Sequence, residues 1–336
     1  YYVIDSSGNI LNIVRRKKIG EEVQLLDLPA HGACTMFRKD TLNDIGGYYE
    51  EFTRQDGYEI WLRFIKKHRP YNLNTPLFYY RQHQVSITKN QNKLLDARRD
   101  IKRNFVEKNL EGKIPITLGI IPASKNSVYH YGEPFQKVAG KPLISYTLEE
   151  IKKSKNLDRV VLSSDDDEIL EYSKKYDGIK VIPRSEELSQ NSSMCDIVNS
   201  VLYDLEKDNY VPDAICTLYI NTPLRKAKHI DQAIDTMAIF NVDSVVSIEE
   251  ELAYCYHHTK YGLEGLDKVR EIRLEKNAIY KENSAIFLSK AEVFNKDKLV
   301  GKKVGHITML PQESIKINSK FNLWLAEKII SDWPKD

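Results

Sequence analysis

From about residue 116 onward the chain alternates short apolar runs with longer stretches of helical periodicity. Residues 118–122 form a brief apolar run, and residues 143–155 place Leu143, Ile144, Leu148 and Ile151 on one face, which predicts an amphipathic helix. Residues 159–163 read as a strand. Residues 166–176 read as a helix whose acidic first turn suits the helix dipole. Strands at 179–182, 214–220 and 244–248 then alternate with helices at 192–208 and 227–240. This succession predicts an α/β fold, a doubly wound and mostly parallel sheet with helices on both faces. Such sheets bind ligands beyond the carboxyl ends of their strands, so the loops after residues 121, 163 and 220 are expected to line a site. After residue 250 the rhythm changes to strands at 254–259, 269–274, 284–288 and 303–310, closed by a helix at 321–330.

The segment before this domain is patterned differently. Residues 89–113 are polar, with Leu94, Leu95, Ile101, Phe105 and Val106 at helical spacing, and end in Glu111-Gly112-Lys113, a helix stop signal. The expected organisation is a first segment over 1–88, a helical linker over 89–113 and the α/β domain over 114–336; 336 residues suit about two domains. The opening Tyr1-Tyr2-Val3-Ile4-Asp5 reads as a strand already in progress, with neither an initiator Met nor a signal pattern, and points to a fragment of a longer polypeptide. Nowhere does an apolar run approach the ~18 residues of a membrane span.

A net charge of +2, from 50 basic and 48 acidic residues, supplies no global field for nucleic acid or an anionic membrane. None of the four cysteines forms a C-x-x-C pair, so buried free thiols and a cytoplasmic location are expected. Asp165-Asp166-Asp167 reads either as a metal site or as the solvated start of a helix. His257 and His258 fall on opposite faces of a strand, which disfavours a shared metal.

A series of motifs then narrows the α/β domain. Ile120-Ile121-Pro122-Ala123 is followed by Ala139-Gly140-Lys141-Pro142-Leu143-Ile144, then Ser163-Ser164-Asp165-Asp166-Asp167-Glu168-Ile169, Arg184 with Glu187-Leu188-Ser189, and Thr222-Pro223-Leu224-Arg225. Asp243-Ser244-Val245-Val246-Ser247, Asn283-Ser284-Ala285-Ile286-Phe287, Glu313-Ser314-Ile315 and Leu325-Ala326-Glu327 complete the order. The whole resembles the acylneuraminate cytidylyltransferases, the CMP-sialic acid synthetases, over about 116–330. The resemblance implies that CTP reacts with an acidic sugar to give a CMP-sugar and pyrophosphate, in a homodimer. It implies nucleotide-binding roles for Ser124, Ser127, Lys141, Arg184, Asn221 and Arg225, and a catalytic role for Lys125.

The departures are specific. The basic, glycine-rich loop of that family reads here Ser124-Lys125-Asn126-Ser127-Val128-Tyr129-His130-Tyr131-Gly132-Glu133, leaving Lys125 and His130 as sources of positive charge. The family's D-I-D carboxylates, which hold Mg²⁺, are Lys316-Ile317-Asn318 here. The resemblance calls for Mg²⁺, whereas an ammonium at a carboxylate position turns attraction into repulsion. Lys316 is a candidate to bind phosphate directly. Tyr219 stands where the family has Gln.

Upstream, Gly46-Gly47-Tyr48, then Gln55-Asp56-Gly57-Tyr58-Glu59-Ile60-Trp61-Leu62-Arg63, then Tyr80-Arg81-Gln82-His83-Gln84-Val85-Ser86 resemble the second half of a family 2 inverting glycosyltransferase of the GT-A fold. That resemblance implies Asp56 as the base that deprotonates an acceptor hydroxyl. Arg63, Arg81 and His83 would order the donor phosphates. The plainer readings are an N-cap for Asp56 and a helix-face ion pair for Arg63. The family's nucleotide loop and D-x-D motif would lie before Tyr1, so residues 1–336 are not expected to transfer sugar unaided. Three functions follow for the chain: CMP-activation of a nonulosonic acid, a catalytically degenerate module that binds a nucleotide or a partner, or nucleotidyl transfer with another nucleotide or sugar.

Overall fold

The computed structural model describes residues 1–14, 18–21, 24–25, 27, 35–52, 54–73, 75–81, 91–110, 112–124, 132–190, 192–251, 253–266, 279–294 and 298–333. The chain divides into two compact units, one of residues 1–105 with 250–281, the other of residues 106–249 with 282–336.

In the first unit β1 (Tyr2–Ile4) pairs antiparallel with β2 (Ile10–Ile13) and parallel with β3 (Tyr79–Arg81). Helices α1 (Lys39–Asp44), α2 (Asp56–Lys67) and α3 (Gln91–Asn109) accompany this sheet in sequence. Tyr58, Ile60, Trp61 and Leu62 are buried together with Glu59 and Arg63, so α2 is enclosed around its whole circumference over 58–63. Arg63, on the same helix, is 7% exposed. It donates to both carboxylate oxygens of Glu59 at 2.6 Å, to the Gly47 carbonyl at 2.6 Å and to the Ile45 carbonyl. Its guanidinium also lies over the Tyr49 ring, 3.9 Å from the centroid. The ion pair expected of Arg63 is therefore interior, and it anchors the Gly46-Gly47 turn to α2. Asp56 is exposed and opens α2; the N-cap is Gln55, in the left-handed conformation, so Asp56 does not cap the helix.

In the second unit the elements follow one another as β4 (Thr117–Ala123), β5 (Lys137–Val138), β6 (Lys141–Pro142), α4 (Leu143–Ile151), β7 (Arg159–Ser164), α5 (Asp167–Ser173), β8 (Ile179–Pro183), α6 (Glu186–Gln190), α7 (Met194–Glu206), β9 (Ala214–Thr217), α8 (Ala227–Phe240) and β10 (Ser244–Glu251). The hairpin β11 (Tyr256–Thr259) and β12 (Gly262–Gly265) belongs to the first unit. The chain then returns through β13 (Ile279–Lys290), α9 (Ala291–Phe294), β14 (Val304–Thr308), a 3-10 turn (Pro311–Glu313) and α10 (Lys320–Asp332). The strand expected at 269–274 lies outside the described residues.

These strands form one seven-stranded sheet in the order β14-β10-β13-β9-β4-β7-β8. The pairs β4/β7, β7/β8, β4/β9 and β10/β14 are parallel, and β13 runs antiparallel to β9, so the sheet is mixed. Leu118 and Ile120 pack with Cys195, Val198, Val201 and Leu205 of α7. The intervening Ile121 is also fully buried, so β4 is covered on both faces, as its unbroken apolar run requires. Helix α7 begins in a reciprocal capping box. The Ser193 hydroxyl accepts from the Asp196 amide at 3.2 Å, and Asp196 accepts from the Ser193 amide at 2.7 Å.

The α/β domain was expected to run unbroken over 114–336. Instead residues 250–281 leave the second unit, because β10 and β13 cross its boundary; no Gly or Pro punctuates those crossings in the sequence. The boundary at 105/106 falls inside α3, with Ile101, Phe105, Val106 and Leu110 all buried, so this helix is packed rather than a free linker. No described helix is long and apolar enough to cross a membrane.

Candidate functional site

Strands β7 and β8 lie on one side of β4 and β9 on the other, so the chain reverses direction across the sheet between β4 and β9. That is the topological switch point, the place where sheets of this kind hold a ligand crevice outside their carboxyl edge. The loop after β4 contains Gly132 and the loop after β9 contains Asn221; an added Cβ on Gly132 would lie 3.2 Å from the Asn221 Cβ. The Ile317 amide donates to the Asn221 carbonyl at 2.8 Å. Residues 132, 221 and 317 therefore meet at the mouth of the crevice.

Three motifs of the sequence prove to be one hydrogen-bonded cluster at this mouth. Asn283, 4% exposed, accepts at Oδ1 from the Ser247 hydroxyl at 2.5 Å and donates from Nδ2 to the Ser314 hydroxyl at 2.9 Å. The Ser247 hydroxyl in turn accepts from the Ile286 amide at 2.8 Å. Asn283 thus ties β13, β10 and the segment leading to Lys316 together. Its role was readable only from its place within a motif, since the residue type alone specifies nothing. Ile317 is fully buried against Val138, Leu143 and Ala326, while Lys316 is half-buried and Asn318 exposed, the alternation an extended segment imposes. The Lys316 ammonium donates to the Ser284 hydroxyl at 3.1 Å, and Ser284 holds a left-handed φ of 60°.

A divalent cation of the Mg²⁺ class takes oxygen ligands, with one or two carboxylates from the protein. Position 316 presents an ammonium, and the Asn318 amide oxygen already accepts from Asn322 at 2.9 Å. This donor set does not fit Mg²⁺. Among the described residues no group of three or more His, Cys, Asp or Glu side chains converges on a possible ion. Asp166 is the N-cap of α5, accepting from the Ile169 amide at 3.0 Å, which settles its part of the acidic run as a helix start.

At the ends of β7 and β8, Arg184 is a clasp. It donates from Nη1 to the Ser163 carbonyl at 2.8 Å, from Nη2 to the Ala123 carbonyl at 3.0 Å and from Nε to the Ser189 hydroxyl at 2.6 Å. Nη2 lies 3.7 Å from Asp165 Oδ1, and the other Asp165 oxygen accepts from the Ser124 hydroxyl at 3.3 Å. Burial lowers the Arg184 pKa while Asp165 opposes the shift. The guanidinium thus fixes the starting points of the loops after β4 and β7.

Arg225, expected at a nucleotide, is 1% exposed and lies in the core. Its donors go to the Tyr219 and Ala285 carbonyls and to the Thr222 and Thr147 hydroxyls, at 2.8–3.1 Å. It braces the loop 218–225 from beneath and offers no charge to the crevice. Asn221 Oδ1 is buried without a hydrogen-bond partner among the described residues, an acceptor suited to a ligand hydroxyl or amino group. Tyr219 packs edge-on to Phe287 at 5.9 Å, and burial pushes its phenol up to about 12. Lys141 is an exposed residue of the β5/β6 hairpin, 3.1 Å from Glu149. Lys125, Ser127, His130 and His83 lie outside the described residues. His257 and His258 are both exposed on β11. Cys195 and Cys216 are buried, and burial pushes the Cys216 thiol up to about 12, so it is inert.

Glu313 locks the 3-10 turn that precedes this segment. It pairs with Lys228 at 3.0 Å and with His229 Nε2 at 3.3 Å. The His229 Nδ1 accepts from the Lys226 amide at 3.1 Å, so Nε2 carries the proton and the ring is neutral. Burial lowers the His229 pKa accordingly. Burial pushes the Glu313 carboxyl up, but the His229 hydrogen bond and the Lys228 hydrogen bond and charge outweigh it and hold it well below its ordinary value. A depressed carboxylate contributes stability that is complete above its unfolded value near 4.5 and is lost as the pH falls toward 2. Urea unfolding should show Glu313→Gln less stable than the parent by up to about 3 kcal/mol at pH 7. The gap should narrow as the pH falls below 4.5 and close only below about 2; a gap that does not vary with pH would show that the ion pair adds nothing.

A family model described as Cytidylyltransferase matches residues 118–329. The pseudaminic acid cytidylyltransferase of Campylobacter jejuni is 36% identical over 119 residues, 35% of this chain and 51% of that protein. This chain therefore spans about half the length of that relative. The CMP-N,N'-diacetyllegionaminic acid synthase of Legionella pneumophila is 26% identical over 223 residues, 63% of this chain and 95% of that protein. Among solved structures, the 4-diphosphocytidyl-2C-methyl-D-erythritol synthase of Anaerococcus prevotii superposes with a TM-score of 0.50 at 16% identity, over 66% of this chain and 97% of that one. The last is a likeness of fold.

Proposed function

Since the chain belongs to the cytidylyltransferase family through residues 118–329, we propose that its second unit transfers a cytidylyl group from CTP to a nonulosonic, sialic-type acid. The sugar hydroxyl oxygen bonds to the α-phosphorus, the bridge to the β-phosphorus breaks, and pyrophosphate leaves with the electron pair. The hydroxyl proton passes to a base or to water. The observation that carries this reading is the crevice at the switch point, where the Asn283 cluster, Asn221 and Gly132 bring three chain segments together. Ser124, Lys125 and Ser127 would meet the phosphates, Asn221 a ligand hydroxyl, and Lys141 an outlying charge. Arg184 would hold the loop that bears them. The names of the relatives support an acid sugar of the pseudaminic, legionaminic or neuraminic type. Homodimer formation and a cytoplasmic setting accompany the proposal.

Pyrophosphate release on mixing the full chain with CTP and each of these acids tests it, and release with one pair is expected. CTP binding without release for any acid would favour the second reading, a nucleotide-binding module, which the substitution of carboxylates by Lys316 and Asn318 supports. For residues 1–88 the reading is the C-terminal part of a GT-A glycosyltransferase with Asp56 as acceptor base. The exposure of Asp56 at the head of α2 supports it.

A further inference from the structure

The edge built by Ser284 and Lys316 is over-determined for a residue with no task. Ser314 is held by Asn283, Ile317 by the Asn221 carbonyl and by the core, so the main chain at 316 is fixed from both sides. Ser284 accepts a left-handed φ of 60°, a conformation that costs any residue with a Cβ, and its hydroxyl receives the Lys316 ammonium at 3.1 Å. That bond uses one of three N–H donors, and among the described residues no other hydrogen bond to the ammonium is found. Glu282 is the carboxyl within electrostatic reach; burial raises its pKa while Lys316 lowers it. An anchored cation therefore stands beside the crevice mouth, at the place where the donor set has no room for Mg²⁺.

We infer that Lys316 contacts the nucleotide phosphates itself, in place of a divalent cation, so that this chain binds CTP without a divalent metal. The inference rests on reading the crevice as the CTP site. A fixed ammonium supplies one positive charge and two remaining donors where an ion would supply two charges and open coordination positions. Such a site gains nothing from added metal except through the metal's own complex with CTP in solution.

Calorimetric titration of the full chain with CTP, in EDTA and in excess Mg²⁺, tests this. The parent is expected to bind with the same Kd within about twofold in both. Lys316→Met should weaken binding at least tenfold in EDTA, with Lys316→Arg recovering most of it. Ser284→Gly removes the anchor while relieving the strained φ, so it should raise the unfolding midpoint yet weaken CTP several-fold, a combination that impaired folding does not produce. CTP binding by the parent only when Mg²⁺ is present, or unchanged affinity in Lys316→Met, overturns the role of Lys316 while leaving a CTP site. Absence of CTP binding under both conditions overturns the reading of the crevice and this inference with it.

Discussion

Replacing Arg225 with Ala is expected to lower the unfolding midpoint by roughly 10 °C, one of the largest effects of any single change in the second unit. The guanidinium is 1% exposed and makes hydrogen bonds of 2.8–3.1 Å to four acceptors on α4, on β13 and in the loop 218–225. Truncation takes the donor from the Ala285 carbonyl and the Thr147 hydroxyl in a dry interior, while the Tyr219 carbonyl keeps the Thr222 hydroxyl at 3.0 Å, and opens a cavity of side-chain size. Each orphaned group costs about 1–3 kcal/mol, with some recovered by relaxation, so a loss on the order of 3–5 kcal/mol follows. Burial lowers the Arg225 pKa to about 10, which leaves it charged at neutral pH. Lys cannot reproduce a planar fork reaching four acceptors, so Arg225→Lys should recover only part of the loss. If Arg225 instead bound a nucleotide, its loss would weaken CTP and leave stability intact. Urea unfolding of Arg225→Ala beside CTP titration separates the two, and an unchanged unfolding midpoint would refute the brace.

The contrast between Arg225 and Asn283 shows what the sequence carried. The unbroken apolar run of β4 is buried on both faces, so periodicity alone announced a central strand and the crevice at its end. The motifs containing Ser247, Asn283 and Ser314 announced a relationship, but not that the three side chains bond to one another. The resemblance placed Arg225 at a nucleotide, whereas its side chain lies in the core. Its fate depends on the turn 218–225 folding back beneath β13, a long-range pairing with Ala285 that no local pattern encodes. Arg63 is similar: its spacing from Glu59 was legible as an i,i+4 pair, whereas its burial depends on the Ile45 and Gly47 carbonyls arriving from outside the helix. The expected strand over 214–220 ends at Thr217, since the residues beyond it bend to build the site. The ammonium at 316 was legible as a residue type; the Ser284 anchor was not, because it needs β13 placed beside the C-terminal segment.

Gly132→Ala should abolish the site while barely touching the fold. At φ +93° an alanine is strained by about 1–2 kcal/mol, and its Cβ would lie 2.9 Å from the Ile317 carbonyl oxygen. No rotamer change relieves that contact. The obstacle is main chain, and Ile317 is held by the Asn221 carbonyl at 2.8 Å and by its own buried side chain. The loop after β4 must therefore move away from the crevice, carrying with it the residues proposed to hold phosphate. A displacement of about 1 Å costs on the order of 100-fold in a positioned reaction, so kcat/KM for pyrophosphate release should fall by about that factor, with CTP affinity at least tenfold weaker. The unfolding midpoint should drop only roughly 2–5 °C. Gly301→Ala is the matched control. Its Cβ would meet the Asp243 Cβ at 2.4 Å, where the Asp243 carboxylate holds the Lys302 and Lys303 amides at 3.0 and 2.9 Å, beside the amino end of β14. That end of the sheet is opposite the crevice, so Gly301→Ala should lose stability and keep CTP affinity. Should Gly132→Ala bind CTP like the parent, the meeting of residues 132, 221 and 317 is not where the nucleotide goes, because no ligand seated there could ignore a wall displaced by a methyl group.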